Sequence, residues 1–324
     1  MTDIDKSGAA RRDLVSIITP VYNEEGNLQV LYERLKAVME TVDADWEWLI
    51  VDDRSNDRTF EITRSMVEAD PQIRSFRLAR NSGSHVALTC GLDECNGDAV
   101  VLMAADLQDS PELIPELLDV WRGGGQIVSA VRRQRLGESK VSLWFSNFFY
   151  FLSRKIFGLD WMPETGADFM LLDRRAVMAI RQHEERNVHV FALLNWIGFD
   201  QRTVFYDKEA RHSGATGWTL SKKIKLAIDT IVTFSYRPIR IMSLLGVMFA
   251  FFGFSYALFI VVRFSFGAPI DGWASLMVVT LIIGGMIMLM LGVLGEYIWR
   301  SYEETRHRPR YIIDTRSSEN KEKN

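Results

Sequence analysis

Two uncharged apolar runs near the C-terminus constrain this chain more than any other feature. Ile241–Val262 lies between Arg240 and Arg263, and Gly272–Gly295 between Asp271 and Glu296. Each exceeds the ~20 residues needed to cross a bilayer. Neither has a polar face to turn to water, as a helix on a soluble core would. Both are expected to be transmembrane helices. Arg237 and Arg240 precede the first run, and Arg300, Arg306, Arg308 and Arg310 follow the second. The loop between them holds only Arg263 and Asp271. The positive-inside rule then places both termini and the large N-terminal part in the cytosol, on the inner face of a plasma membrane. Trp273, Tyr297 and Trp299 are expected near the interfaces.

The formal net charge of −4 over 324 residues gives no basic footprint for nucleic acid. Cys90 and Cys95 show neither a redox nor a zinc spacing, and read as reduced thiols. Met1–Arg12 is polar and charged, unlike a signal peptide, and is expected to be a disordered tail.

Residues 13–219 alternate strand-like and helix-like segments. Leu14–Thr19, Trp46–Val51, Ile73–Leu78, the run from Val100 and Ile127–Val131 read as strands. Asn27–Val42, Arg58–Glu68, Ser84–Cys95 and Pro111–Trp121 read as helices, with Asp57 and Ser110 as N-caps and Pro111 at the first helical position. That order predicts an α/β fold with a doubly wound, mostly parallel sheet. Its strand-to-helix loops gather on one edge, where open α/β sheets bind ligands. On that rim fall Tyr22, Asn23 and Glu24; Asp52 and Asp53; Asn81; and Asp106, Gln108 and Asp109. There is no GxGxxG or GxxxxGK[ST] loop. A nucleotide would therefore be held by acids, amides and a metal rather than by a glycine-rich cradle. The oxygen donors of Asp106 and Gln108 suit a hard divalent cation that keeps positions open for phosphate.

Beyond Arg132 the character changes. Residues 142–157 are crowded with aromatics and read as a helix lying in the headgroup region. Asp168 stands just before a short apolar strand, and Asp173 is placed to cap Arg174–Arg181. Glu209–Trp218 is a glycine-rich loop carrying Arg211. Residues 220–238, with Lys222, Lys223 and Lys225, read as a basic amphipathic helix on the membrane surface. The two spans occupy 239–299, and 300–324 is expected to be a cytosolic tail.

Four motifs together resemble family-2 glycosyltransferases. They are Thr19-Pro-Val-Tyr-Asn-Glu24, Val51-Asp-Asp53 with Ser55 and Asp57, Ala105-Asp-Leu-Gln-Asp109 with Pro111-Glu112, and Asp168-Phe-Met-Leu171. Gly292–Ile298 followed by Arg308-Pro-Arg-Tyr311 resembles the membrane-anchored polyprenyl-phosphate glycosyltransferases, relatives of dolichol-phosphate mannose synthase and the bactoprenol glucosyltransferases. The likeness implies an A-type glycosyltransferase domain. It assigns nucleotide binding to Pro20, Tyr22, Glu24 and Asp52, with Asn81 on the same rim. It assigns Mg²⁺ or Mn²⁺ to Asp106 and Gln108, the base to Asp168, and the acceptor phosphate to Arg132 and Arg211.

The implied reaction is inverting transfer from a nucleotide-diphosphate sugar, UDP-glucose first, to a polyprenyl phosphate such as undecaprenyl phosphate. GDP-mannose and a UDP-aminoarabinose type of donor are the alternatives, along with a non-catalytic membrane scaffold. A processive polysaccharide synthase would need more spans and a Gln-x-x-Arg-Trp segment. The chain leaves room for a homo-oligomer. Two departures stand out: Ala104 occupies the place of a frequent second metal carboxylate, and Gly214–Gly217 replaces the usual Gly-x-Ser-Lys.

Overall fold

The computed structural model describes residues 12–133, 151–159, 168–183, 185, 189–207, 228–266 and 272–317. The chain divides into two compact units. The first holds residues up to Phe145, Trp161–Lys223 and Pro309 onward, and the second holds Ser146–Asp160 and Ile224–Arg308.

The first unit is built on an eight-stranded sheet. In chain order its strands are β1 (Leu14–Val21), β2 (Asp45–Asp52), β3 (Ile73–Leu78), β4 (Ala99–Leu102), β5 (Ile127–Arg132), β6 (Phe169–Asp173), β7 (Gln201–Tyr206) and β8 (Ile313–Arg316). Their order across the sheet is β7-β5-β6-β4-β1-β2-β3-β8. Helices α1 (Leu28–Met39), α2 (Thr59–Ala69), α3 (Ser84–Glu94) and α4 (Ile114–Arg122) follow the first four strands. Helices α5 (Arg174–Arg181) and α6 (Val190–Trp196) follow β6.

The central strands are apolar because helices cover both faces. All four residues of β4 are fully buried, as are Ile17, Ile18, Trp48, Leu49 and Ile50. Helix α3 lies so close to β1 that a Cβ at Gly91 would collide with the Ile18 side chain. On its other side, α1 buries Leu28, Leu31, Leu35, Val38 and Met39, the stripe its spacing predicts.

The sheet departs from a fully parallel one in two places. β6 runs antiparallel to both β4 and β5, because the chain re-enters from the rim end after a long connection. β8 adds antiparallel to β3, so residues of the expected C-terminal tail form part of the sheet. Ser110 sits at the expected N-cap position, but its hydroxyl turns to Glu112 and caps no amide. A 3₁₀ turn, Pro111–Leu113, separates it from α4. Asp173 is the N-cap of α5, as expected, and accepts from the Arg175 amide at 2.9 Å; Asp57 accepts from the Thr59 amide at 3.0 Å but stands one residue before the N-cap of α2, Arg58.

The second unit contains α7 (Arg237–Ser265) and α8 (Trp273–Thr305), both long and apolar enough to cross a membrane. Twenty-nine and thirty-three residues give lengths of about 43 and 50 Å, beyond the ~30 Å of a hydrocarbon core. Residues 228–234 are helical and are held to α8. Arg300 pairs with Asp229 at 2.5 Å and donates to Thr233 at 2.8 Å, and the Tyr297 hydroxyl donates to the Ser235 carbonyl at 2.7 Å. Arg237 donates to the carbonyls of Lys155 and Ile156, at the end of a π-helical turn over Leu152–Ile156. Most of the expected interfacial helix 142–157, and residues 220–227 of the expected basic helix, lie outside the described residues.

Candidate active site

The register of the sheet brings the expected site residues to one edge. β1 is parallel to both β2 and β4, with Val21 beside Asp52 and Ile18 beside Leu102. The loops after these three strands therefore leave the sheet together, and the loop after β3 leaves on the same side. β6 enters that edge in reverse. Its pairing of Met170 with Leu102 sets Asp168, two residues earlier, at the same end as Ala104. β5 pairs Ala130 with Phe169, which carries Arg132 out at this rim as well. Arg132 Nη2 lies 3.9 Å from Asp168 Oδ2.

The β1 loop is held open by its own polar groups. Asn23 has φ +57, a left-handed state that asparagine tolerates. Its amide donates to Ser55 Oγ at 3.0 Å, and its Oδ1 accepts from the Asn56 amide at 2.9 Å. The Glu24 amide donates to Thr59 Oγ1 at 2.8 Å, and Asn56 Nδ2 donates to the Tyr22 hydroxyl at 3.3 Å. Pro20 still belongs to β1, while Tyr22 is exposed at the loop's start. The loops after β1 and β2 thus form one hydrogen-bonded body that presents the Tyr22 ring.

The two aspartates of the second loop are turned inward. Asp52 is fully buried; its Oδ1 accepts from the Ser55 amide at 2.9 Å, and its Oδ2 faces Arg77 Nε at 3.1 Å. Asp53 accepts from the amides of Ser82 and Gly83, each at 2.7 Å, fixing the loop that carries exposed Asn81. Burial raises the Asp53 carboxyl above its ordinary range, against the pull of those two amides and with Asp52 adding to it. Both acids organise the loops, while Tyr22 and Asn81 are exposed. Gly83 has φ +94, which spares the chain a Cβ penalty where it turns into α3.

The fourth loop carries a buried residue in the left-handed region. Leu107 has φ +58 and is only 2% exposed. A bulky side chain in that region is uncommon, and such outliers cluster at functional sites. With Leu107 buried, its neighbours Asp106 and Gln108 are both partly exposed. Asp106 Oδ1 accepts from the Gln108 amide at 3.2 Å. Asp109, by contrast, is 1% exposed and accepts from the Tyr206 hydroxyl, so it does not join the open rim. Tyr206, at the end of β7, is a residue the sequence reading missed. It pairs in register with Arg132 and packs edge-on against Phe169 at 6.3 Å. The Arg132 charge works against the burial and the Asp109 charge that raise its phenol.

Among the described residues, no three His, Cys, Asp or Glu side chains are grouped so as to hold a metal ion by themselves. The donor set that is present, one carboxylate and one amide oxygen on the partly exposed positions either side of Leu107, fits a hard cation that draws its remaining ligands from phosphate oxygens. Arg211 lies outside the described residues.

The model of one protein family, Glycosyl transferase family 2, matches residues 16–181. The uncharacterized glycosyltransferase YkcC of Bacillus subtilis (strain 168) is 40% identical over 300 residues, 92% of this chain and 92% of its own. The protein named Bactoprenol glucosyl transferase of Shigella phage SfV is 34% identical over 92% of this chain and 97% of its own. The Prophage bactoprenol glucosyl transferase homolog of Escherichia coli (strain K12) is 34% identical over 92% and 98%. The family model and the likeness to these relatives over 92% of the chain agree: the chain belongs to glycosyl transferase family 2.

Proposed function

We propose that this protein transfers a single sugar from a nucleotide-diphosphate sugar, with UDP-glucose the favoured donor, to a polyprenyl monophosphate such as undecaprenyl phosphate. One observation carries the acceptor class. The likeness to the protein named Bactoprenol glucosyl transferase spans 92% of the chain, apolar helices included. An acceptor with a long apolar tail stays in the bilayer, and an enzyme with its own spans meets it there. The arginine bias around α7 and α8 supports cytosolic placement of both termini and of the catalytic unit.

In this reading the exposed Tyr22 ring, with Pro20 and Glu24 in its loop, takes the nucleotide. Asn81 borders it, and Asp52 shapes the loop beneath. Asp106 and Gln108 would hold Mg²⁺ or Mn²⁺. A cation bound there would act as a Lewis acid on the leaving diphosphate.

The acceptor phosphate, with a second pKa of about 6, is largely dianionic at neutral pH. It needs little help from a base and much help against charge repulsion. Arg132 supplies that help, and Arg211 is its proposed second cation. Asp168 beside Arg132 orients the guanidinium and accepts any residual proton. Direct displacement by a phosphate oxygen inverts the anomeric centre.

The test is purified full-length protein incubated with UDP-glucose, GDP-mannose or a UDP-aminoarabinose, with and without undecaprenyl phosphate. The expected result is a glycosylated lipid and nucleotide diphosphate in equal amounts, from UDP-glucose. Nucleotide release that ignores the lipid, or no lipid product from any donor, overturns the reading.

A further inference from the structure

The Arg308-Pro-Arg-Tyr311 segment and the strand after it have no place in the chemistry above, yet this stretch is fastened firmly. Arg310 Nη2 contacts both carboxylate oxygens of Asp93, at 3.2 and 2.9 Å, and its Nη1 donates to the His183 carbonyl at 2.9 Å. The Tyr311 hydroxyl donates to Asp93 at 2.9 Å. Arg316 makes a two-pronged pair with Glu94, 2.7 Å on each arm. Two-pronged arginine–carboxylate pairs fix direction as well as distance. Between these anchors β8 pairs with β3, setting Thr315 beside Arg77.

β3 and β8 each reach the loop after β2. From β3, Arg77 faces Asp52 at 3.1 Å and donates to the Ser55 carbonyl at 3.0 Å. From β8, Asp314 accepts from Arg54 Nη1 at 2.6 Å. Arg54 holds φ +64, a backbone state that a side chain enters only against steric cost. The Asp53 amide, on the other flank, donates to the Val21 carbonyl at 2.9 Å. The loop that braces Tyr22 is thus pinned between β1 and the tail strand.

We propose that β8 is a positioning element of the donor site, with Asp314 holding the Asp52–Asn56 loop, through Arg54, in the shape that receives the nucleotide. Asp314 touches no substrate; it acts through Arg54. The proposal rests on reading that loop as the nucleotide site.

The experiment titrates full-length protein in detergent with UDP and Mn²⁺, alongside steady-state KM values for donor and lipid. Asp314→Ala is expected to weaken UDP about threefold, the scale of one exposed ion pair, and to leave the lipid KM unchanged. The exchanged pair Arg54→Asp with Asp314→Arg is expected to restore UDP affinity, a rescue that a general loss of stability would not give. Unchanged UDP affinity in Asp314→Ala, equal weakening towards donor and lipid, or no rescue overturns the proposal. If the unaltered protein binds neither UDP nor GDP, the donor-site reading itself falls and takes this proposal with it.

Discussion

The hydroxyl of Tyr206 donates to the buried carboxylate of Asp109, so the last residue of β7 is tied to the loop that carries Asp106 and Gln108. Arg132 stands beside Tyr206 in register on β5. Burial, with the Asp109 charge and hydrogen bond adding to it, pushes the Tyr206 phenol well above its ordinary range, so it remains a donor at any working pH. One side chain thereby joins the proposed metal side of the rim to the proposed acceptor side. Tyr206→Phe keeps the ring against Phe169 and removes only the hydroxyl. It is expected to cost about 1–3 kcal/mol of stability, since Asp109 loses a donor where water cannot replace it. Transfer should also fall, through Arg132. Thermal melting and the lipid KM measured on the same preparation check both parts.

Asp106→Asn keeps the size of the side chain and removes its charge. The variant is expected to fold normally, because Asp106 is partly exposed at the end of a buried strand. It should lose the Mn²⁺-dependent part of UDP binding, and transfer should fall by about 100-fold or more as several kcal/mol of charge stabilisation disappear. Calorimetric titration of UDP with and without Mn²⁺ is the measurement. Undiminished Mn²⁺ dependence would remove Asp106 and Gln108 from the metal role.

How much of this was legible in the sequence depends on what holds each element. β1, β2 and β4 are buried on both faces, so they read as apolar runs that stop at polar residues, and those stops are the rim. β7 exposes Gln201, Arg202, Thr203 and Phe205 and buries only Val204 and Tyr206, leaving little pattern to read. β8 is Ile-Asp-Thr-Arg, and its place comes from ion pairs with Asp93 and Glu94, more than 200 residues earlier. Residue type revealed which acids reach the rim but not which way they turn. Asp52, Asp53 and Asp109 all point inward to partners that only the folded chain supplies. Ser110 shows the same limit. Its residue type suits a cap, but Arg34 holds Glu112 at 2.9 Å and draws the serine into that pair.

Acid sensitivity should originate at a histidine pair. The rings of His85 and His189 lie 4.1 Å apart, and burial holds them neutral, down to about 3 and about 4. Their mutual repulsion further lowers His85. The unfolded chain takes up protons as pH falls through ~6.5, whereas the folded chain does not until far lower. Stability is therefore fully present above ~6.5 and is lost as pH falls from there towards 4. Full expression of the His189 displacement corresponds to roughly 3 kcal/mol. His189 Nδ1 caps α6 by accepting from the Ala192 amide at 3.1 Å, a role that asparagine fills well. His189→Asn is thus expected to flatten the dependence of Tm on pH between 6.5 and 4 while leaving α6 formed. An unchanged slope would place the acid sensitivity elsewhere.

Arg132 gives the sharpest separation of the two substrates. It leaves the sheet at the end of β5, beside Tyr206 in register, with its guanidinium 3.9 Å from the exposed carboxylate of Asp168. On the strand order, β6, β4 and β1 separate it from β2, whose loop supports the proposed nucleotide contacts. Charge reversal by Arg132→Glu would set a second carboxylate beside Asp168 and repel a dianionic phosphate. The lipid KM should then rise by about tenfold or more, the cost of losing a charge-assisted contact worth roughly 1.5–3 kcal/mol. UDP affinity should stay within about twofold, because additivity holds for groups with no shared partner. Arg132→Lys keeps the charge but not the planar fork, so it should fall between the two. Equal losses for donor and lipid would mean that Arg132 braces the whole rim instead of receiving the acceptor.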